Sequence, residues 1–191
     1  MKKIIRTLSL LLPFLGILAF NMPNGKLVSK SGHINFFSHT VAEDISSNNY
    51  KVVSTLDVST GEVVFSVPMQ SFEFEKALMQ KHFNSKDFLN TKQYPKAKFV
   101  DKITNLGDVD FTKDGAYQTN VSGELTIMET TQSIQESGTI TIKGSEIIVE
   151  TKLQVVLADY KIAFTDGKPS TNIAKTIDVT AKSVYSSDGD S

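Results

Sequence analysis

Apolar residues recur at every second position through most of this chain. Val63, Phe65, Val67 and Met69 share one face of an extended segment, and Val121, Leu125 and Ile127 repeat the pattern with Gly123 in phase. Ile140 follows with Ile142, and the longest ladder runs through Ile147, Val149, Thr151, Leu153, Val155 and Leu157. Ile177, Val179 and Ala181 complete the series. Successive side chains of a strand point to opposite faces, so this alternation predicts half-buried antiparallel strands. Thr and Ser on the opposite faces suit the same reading.

Turn signals divide the ladders: Ser47-Asn48-Asn49, Ser59-Thr60-Gly61, Lys113-Asp114-Gly115, Lys143-Gly144-Ser145 and Asp166-Gly167-Lys168-Pro169. Thr60-Gly61 and Gly144-Ser145 predict tight hairpins. About eight strands result, near 30–40, 49–59, 62–70, 96–106, 116–128, 132–143, 145–163 and 174–185. The seventh is long enough to bend or to hold a bulge. Hairpins at regular spacing without intervening helices predict an all-β barrel or sandwich. Eight strands close into a barrel that admits either its own side chains or one small ligand. Gly123, Ala158 and Ala163, set among bulkier residues, leave room inside or mark bends.

One segment departs from period two. Between residues 72 and 83, Phe74, Ala77, Leu78 and His82 fall on one helical stripe, which predicts a short amphipathic helix covering a barrel end or packing on the sheet edge. The connection it opens, MQKHFNSKDFLNTKQYPKAKF from Met79 to Phe99, carries four aromatics and a Tyr-Pro pair where a polar loop is expected.

Residues 1–20 have a different character. Lys2, Lys3 and Arg6 precede an apolar run from Leu8 to Phe20. The run is short for a membrane-spanning helix and has the length of a secretory signal peptide. Cleavage is expected between 19 and 25, leaving a domain at 26–187 without a membrane span; the alternative is an uncleaved N-terminal anchor. The chain contains no cysteine, which excludes disulfides and a lipid anchor on a leader cysteine. Without the leader, 17 basic residues stand against 21 acidic ones, a net charge of −4, and no arginine remains. Guanidinium forks are the preferred means of phosphate and base recognition, so a nucleic-acid partner is not expected.

Chemistry-bearing patterns are few. His33, His39 and His82 have no metal-ligand spacing, although His33 and His39 sit in phase for a shared strand face. Asp57, Asp101, Asp108, Asp110 and Glu124 are read as solvated charges near strand ends or on exposed faces. Asp108-x-Asp110 before Asp114-Gly115 has some likeness to a calcium loop but lacks its spacing and terminal Glu, so a turn is expected. No nucleophile motif or phosphate-cradling glycine loop occurs, and neither a metal, a cofactor nor an enzymatic activity is expected.

Taken together, several segments resemble the YceI-like family of secreted bacterial lipid-binding proteins over about residues 30–185. They are Gly32 to Ser38 (GHINFFS), Phe65-Ser66-Val67-Pro68, Ser71-Phe72, MQKHFNSKDFL, and Lys92 to Phe99 (KQYPKAKF), whose Tyr-Pro-x-x-x-Phe element is the most specific part. Gly123 to Ile127 (GELTI) matches a strand of that family, and Asp159 to Ile162 with Ile173 to Ile177 resemble its closing pair in Bacteroidetes-type members. The family's usual His-Gly after the GELTI-type strand is replaced by Met128-Glu129-Thr130-Thr131, so no role of that His carries over.

The resemblance implies a lipocalin-like antiparallel barrel with an elongated apolar cavity for a hydrophobic small molecule, an isoprenoid (quinones and isoprenoid phosphates included) or an acyl lipid, in the periplasm or secreted. On that implication the candidate cavity-lining residues are Phe36, Phe65, Val67, Phe99, Leu125, Ile127, Leu153 and Val155, which otherwise form packed core. The alternative is a non-catalytic structural or interaction module of the cell envelope with a filled barrel. Oligomeric state stays open, a homodimer included.

Overall fold

The computed structural model describes residues 25–162 and 173–186. The leader, Ala163 and the Asp166–Pro169 turn lie outside the described residues. Eight long strands form one antiparallel sheet: β1 (Lys26–His39), β2 (Asp44–Asp57), β3 (Glu62–Pro68), β5 (Lys96–Ile103), β6 (Gly115–Ile127), β7 (Thr130–Lys143), β8 (Glu146–Val156) and β9 (Thr176–Ser186). A two-residue strand, β4 (Glu73–Phe74), and one helix, α1 (Ala77–Asn84), lie between β3 and β5. The sheet order is β1-β9-β8-β7-β6-β5-β3-β2-β4, and β1 also pairs with β2. The eight long strands therefore close into a barrel with no free long edge.

The hairpins show how local sequence sets the register. Gly144-Ser145 forms a two-residue turn between Lys143 and its partner Glu146, with Gly144 at φ 58°. Thr60-Gly61 belongs to a wider turn, because the Asp57 carboxylate accepts the Ser59 and Thr60 amides and Gly61 N–H reaches the Asp57 carbonyl at 2.8 Å. Ile127 pairs with Thr130 across Met128-Glu129, and Met128 takes φ 54° in place of a glycine.

Several expectations are corrected. Ser47-Asn48-Asn49 is inside β2 rather than in a turn, and the reversal lies at Thr40–Glu43 instead. The polar residues fit a strand because the pairing shifts register there, between Gly32/Val52 and Ile34/Asn49, and side chains take over the lost ladder bonds. Asn49 donates to the Pro68 carbonyl at 2.9 Å and accepts the Lys51 amide at 3.0 Å, while Ser47 Oγ donates to the Glu73 carbonyl at 2.8 Å.

The seventh strand ends at Val156, not near 163. The chain turns through a single 3-10 turn, Leu157–Tyr160, which buries Leu157 and Tyr160 and ends on Lys161 at φ 57°. The helix begins at Ala77, so Phe74 is not on its stripe. Glu73–Phe74 pairs with β2, and Phe72 and Phe74 both face the barrel end at a spacing of two.

Gly123 provides no room inside. It pairs with Asp101, and a Cβ there would stand 2.2 Å from the Val100 carbonyl oxygen, so β5 and β6 approach this closely only with glycine at that position. Ala158 is exposed and leaves no internal space either.

Candidate functional site: an apolar cavity at one barrel end

Following each strand inward shows two different halves. At the end made by the 58–61, 104–114 and 144–145 turns, Val52, Leu56, Val63, Ile103, Ile140 and Ile147 interlock and are at most 3 % exposed. Tyr185 fills the same end. Its hydroxyl donates to Ser54 Oγ at 2.8 Å, which in turn donates to Ser183 Oγ at 2.7 Å. Burial pushes the Tyr185 phenol up to about 12, so it is neutral at physiological pH. The packing is that of an ordinary protein core.

The opposite half encloses a cavity of about 460 Å³. That is within the range of small-molecule sites. β3 and β5 contribute Phe65, Val67, Ala97 and Phe99; β6 contributes Leu125 and Ile127; β8 contributes Leu153 and Val155; β1 contributes Ile34 and Phe36. The eight residues marked in the sequence as candidates all stand on this one wall. Sequence reasoning did not mark the rest of the lining as cavity-facing, notably Met69 and Leu157, the last rungs of their ladders, and Met79 and Ile173, which lie outside the ladders.

The connection after β3 roofs the cavity. Phe83, the buried residue of α1, is its hub, with ring centroids 5.9 Å from Phe36, 5.3 Å from Phe72, 5.1 Å from Phe74 and 6.4 Å from Phe88. Tilted and offset arrangements of this kind are the favourable ones for aromatic rings. The rest of the connection is pinned by polar contacts. Thr91, 1 % exposed, donates to Asn84 Oδ1 at 2.7 Å; Gln70 donates to the Thr91 carbonyl; Met69 N–H donates to the Pro95 carbonyl at 2.9 Å. The aromatics of the MQKHFNSKDFL segment are thus explained: Phe83 and Phe88 face the cavity and the polar residues hold the loop in place.

Among the described residues on the cavity wall, Ser38, Glu43 and His82 alone carry polar side chains. Ser38 Oγ accepts the Ala174 amide at 3.0 Å. Glu43 pairs with Lys76, joining the 40–43 turn to the start of α1, and that hydrogen bond raises the lysine's pKa. The remaining two histidines are on the outer surface of β1 and do not meet. His33 stacks on Tyr50 at 4.6 Å and bonds Asn48, and His39 pairs with Asp44.

Asp101 corrects the reading of the carboxylates as surface charges. It is 4 % exposed and points into the barrel, in phase with Ala97, Phe99 and Ile103 along β5. One of its oxygens accepts the Lys102 amide at 2.8 Å, and burial raises its pKa to about 6. The alternation of β5 itself, continued two residues past Phe99, is the signal that could have found it. Asp110 closes a local turn with Thr112, and Asp108 accepts from Asn105. No cluster of three or more potential metal-ligating side chains occurs among the described residues, and no helix among them is long and apolar enough to cross a membrane.

Comparison with known proteins agrees with this architecture. A polyisoprenoid-binding domain from Saccharophagus degradans, implicated in plant cell wall breakdown, superposes with a TM-score of 0.71 at 13% identity, covering 85% of this chain and 98% of that one. BcnA of Burkholderia cenocepacia gives 0.66 at 17% identity, covering 80% and 95%. A YceI protein of Campylobacter jejuni gives 0.54 at 15% identity, covering 96% and 97%. At these identities the likeness establishes the fold. No curated protein sequence matches the chain. The YceI-like domain model matches residues 23–185, which is most of the chain, and the protein belongs to the YceI-like family.

Proposed function

We propose that the protein is a non-catalytic carrier of the periplasm or the secreted fraction, holding one long-chain hydrophobic molecule in the open half of its barrel. The ligand class is a polyisoprenoid, a quinone or a similar lipid. The observation that carries this reading is the 460 Å³ cavity with its almost wholly apolar wall and aromatic roof. Well-packed interiors do not leave such a space, and an unfilled one costs stability in proportion to its volume. A hydrocarbon chain restores the missing contacts. Burial contributes about 0.8 kcal/mol per methylene, so a dozen carbons bring on the order of 10 kcal/mol before the costs of association. No arginine clamp is needed for such a ligand. The Saccharophagus relative, a polyisoprenoid-binding domain, supports the same class.

A purely structural barrel with a filled interior accounts for one half of the molecule and leaves the other half unexplained. The test is extraction of the protein from its native host, followed by mass spectrometry of the organic phase. A stoichiometric isoprenoid or acyl lipid is expected. Protein that emerges empty and then fails to take up any hydrophobic fluorescent probe contradicts the proposal.

A further inference from the structure

The carrier reading leaves open how long a chain the barrel accepts, and the boundary between its two halves bears on this. Phe65 on β3 and Phe99 on β5 are directly paired in register, 1 % and 6 % exposed, with ring centroids 6.1 Å apart and planes inclined by 29°. Both rings line the large cavity. Both also line a second void of about 10 Å³ on their far side, bounded by Asp101, Thr119, Val149 and Thr151 among others. The two rings are therefore the partition between a space that holds a ligand and one that barely holds a single water.

The partition is chemical as well as steric. Beyond it stand the buried Asp101 carboxyl and the Thr119 and Thr151 side chains, 3 % and 5 % exposed. A hydrocarbon end pushed into that layer would lie against these polar groups without offering them a hydrogen bond. Past the layer comes the close-packed end. A chain entering from the roofed side has no path further down.

Resting on the carrier reading, we infer that the Phe65–Phe99 pair is a length stop: it sets how much of a linear hydrophobic chain the barrel can bury. A cavity of roughly 150 Å³ takes the six carbons of a benzene ring, so one of 460 Å³ holds on the order of fifteen carbons, or about three isoprene units. Longer chains bind through one such stretch and leave the remainder outside. The site thus discriminates strongly among short chains and little among long ones.

The test is displacement of N-phenyl-1-naphthylamine from the purified protein by geraniol, farnesol, geranylgeraniol and solanesol. Affinity is expected to rise at least about tenfold from geraniol to farnesol. It then changes less than about threefold from geranylgeraniol to solanesol, because the added units stay unburied. Phe99→Ala removes a ring of about the bulk of one isoprene unit and moves the levelling-off point one unit longer. Ala97→Phe, one inward position nearer the open end, moves it one unit shorter. Where Phe99→Ala does not fold, Phe99→Leu is expected to act in the same direction by less.

Affinity that keeps climbing through solanesol, or a levelling-off point that neither variant moves, overturns the length stop while leaving the carrier intact. Failure of all four alcohols to displace the dye overturns the carrier reading, and the stop with it.

Discussion

Ile140 and Leu125 are both inward-facing aliphatics on adjacent strands of one barrel, yet they occupy different physical environments. Ile140 is 0 % exposed and borders nothing larger than a void of about 10 Å³. Leu125 is only half-buried and looks onto open volume. The two ends of the barrel are built from the same alternating pattern, and they differ in what crosses the lumen. Branched aliphatics, Tyr185 and its serine partners fill one end. At the other, the aromatics are drawn to the rim, where Phe83 gathers Phe36, Phe72 and Phe74 into a roof and leaves the middle empty. Stability is concentrated at the filled end and binding capacity at the hollow one.

The largest expected difference follows directly. Ile140→Ala should destabilise the protein by about 4 kcal/mol, since it deletes a fully packed side chain and opens a new cavity. Leu125→Ala should cost about 1 kcal/mol, because part of its surface already lacks neighbours. Urea denaturation of both variants without ligand measures the pair, and equal losses would break the distinction. Adding a bound lipid should widen the effect of Leu125→Ala and leave that of Ile140→Ala unchanged.

The Asp101 layer between the halves gives the next effect. Its folded-state pKa, about 6, is above the ordinary carboxylate value of 3.8, with burial as the cause. The folded protein therefore holds this proton more tightly than the unfolded chain does. Between pH 4 and 6 stability falls as pH rises, and above pH 6 the full cost of the buried charge is present. Asp101→Asn should raise stability by about 2 kcal/mol at pH 7.5 and by little at pH 4. Thermal melts of the two proteins across this range should converge at the acid end. A constant difference would show that the carboxyl is solvated in the folded state.

Smaller again is the effect of Tyr185→Phe, expected to cost about 1 kcal/mol through the lost bond to Ser54. At the roof, Lys76→Gln removes an exposed ion pair with Glu43. It should leave the melting temperature unchanged, as removal of exposed pairs usually does, while speeding ligand release, because the pair ties the 40–43 turn to the start of α1. Stopped-flow dissociation of a bound fluorescent lipid measures that rate.

Much of the wall could be read from period two, because each ladder must present one face to a dry interior. Three features could not. Ser47, Asn48 and Asn49 have turn propensity, but Asn49 is held in β2 by the Pro68 carbonyl, a partner nineteen residues away. Phe74 fits a helical stripe and a strand equally well, and pairing of Glu73–Phe74 with β2 decides between them. The hollow itself left no mark, since Ile127 and Ile140 obey the same alternation and only the distance across the barrel separates a lining from a core. Asp101 was within reach: its parity with Phe99 already placed it inside.

The central claim is that a hydrophobic chain occupies one end of the barrel and not the other. Methyl-labelled protein titrated with farnesol and followed by NMR tests it most directly. Shifts and ligand contacts are predicted at Leu125, Ile127, Leu153 and Val155, with Ile140, Ile142 and Ile147 unmoved. Comparable shifts in both groups, or none in the first, would contradict the account.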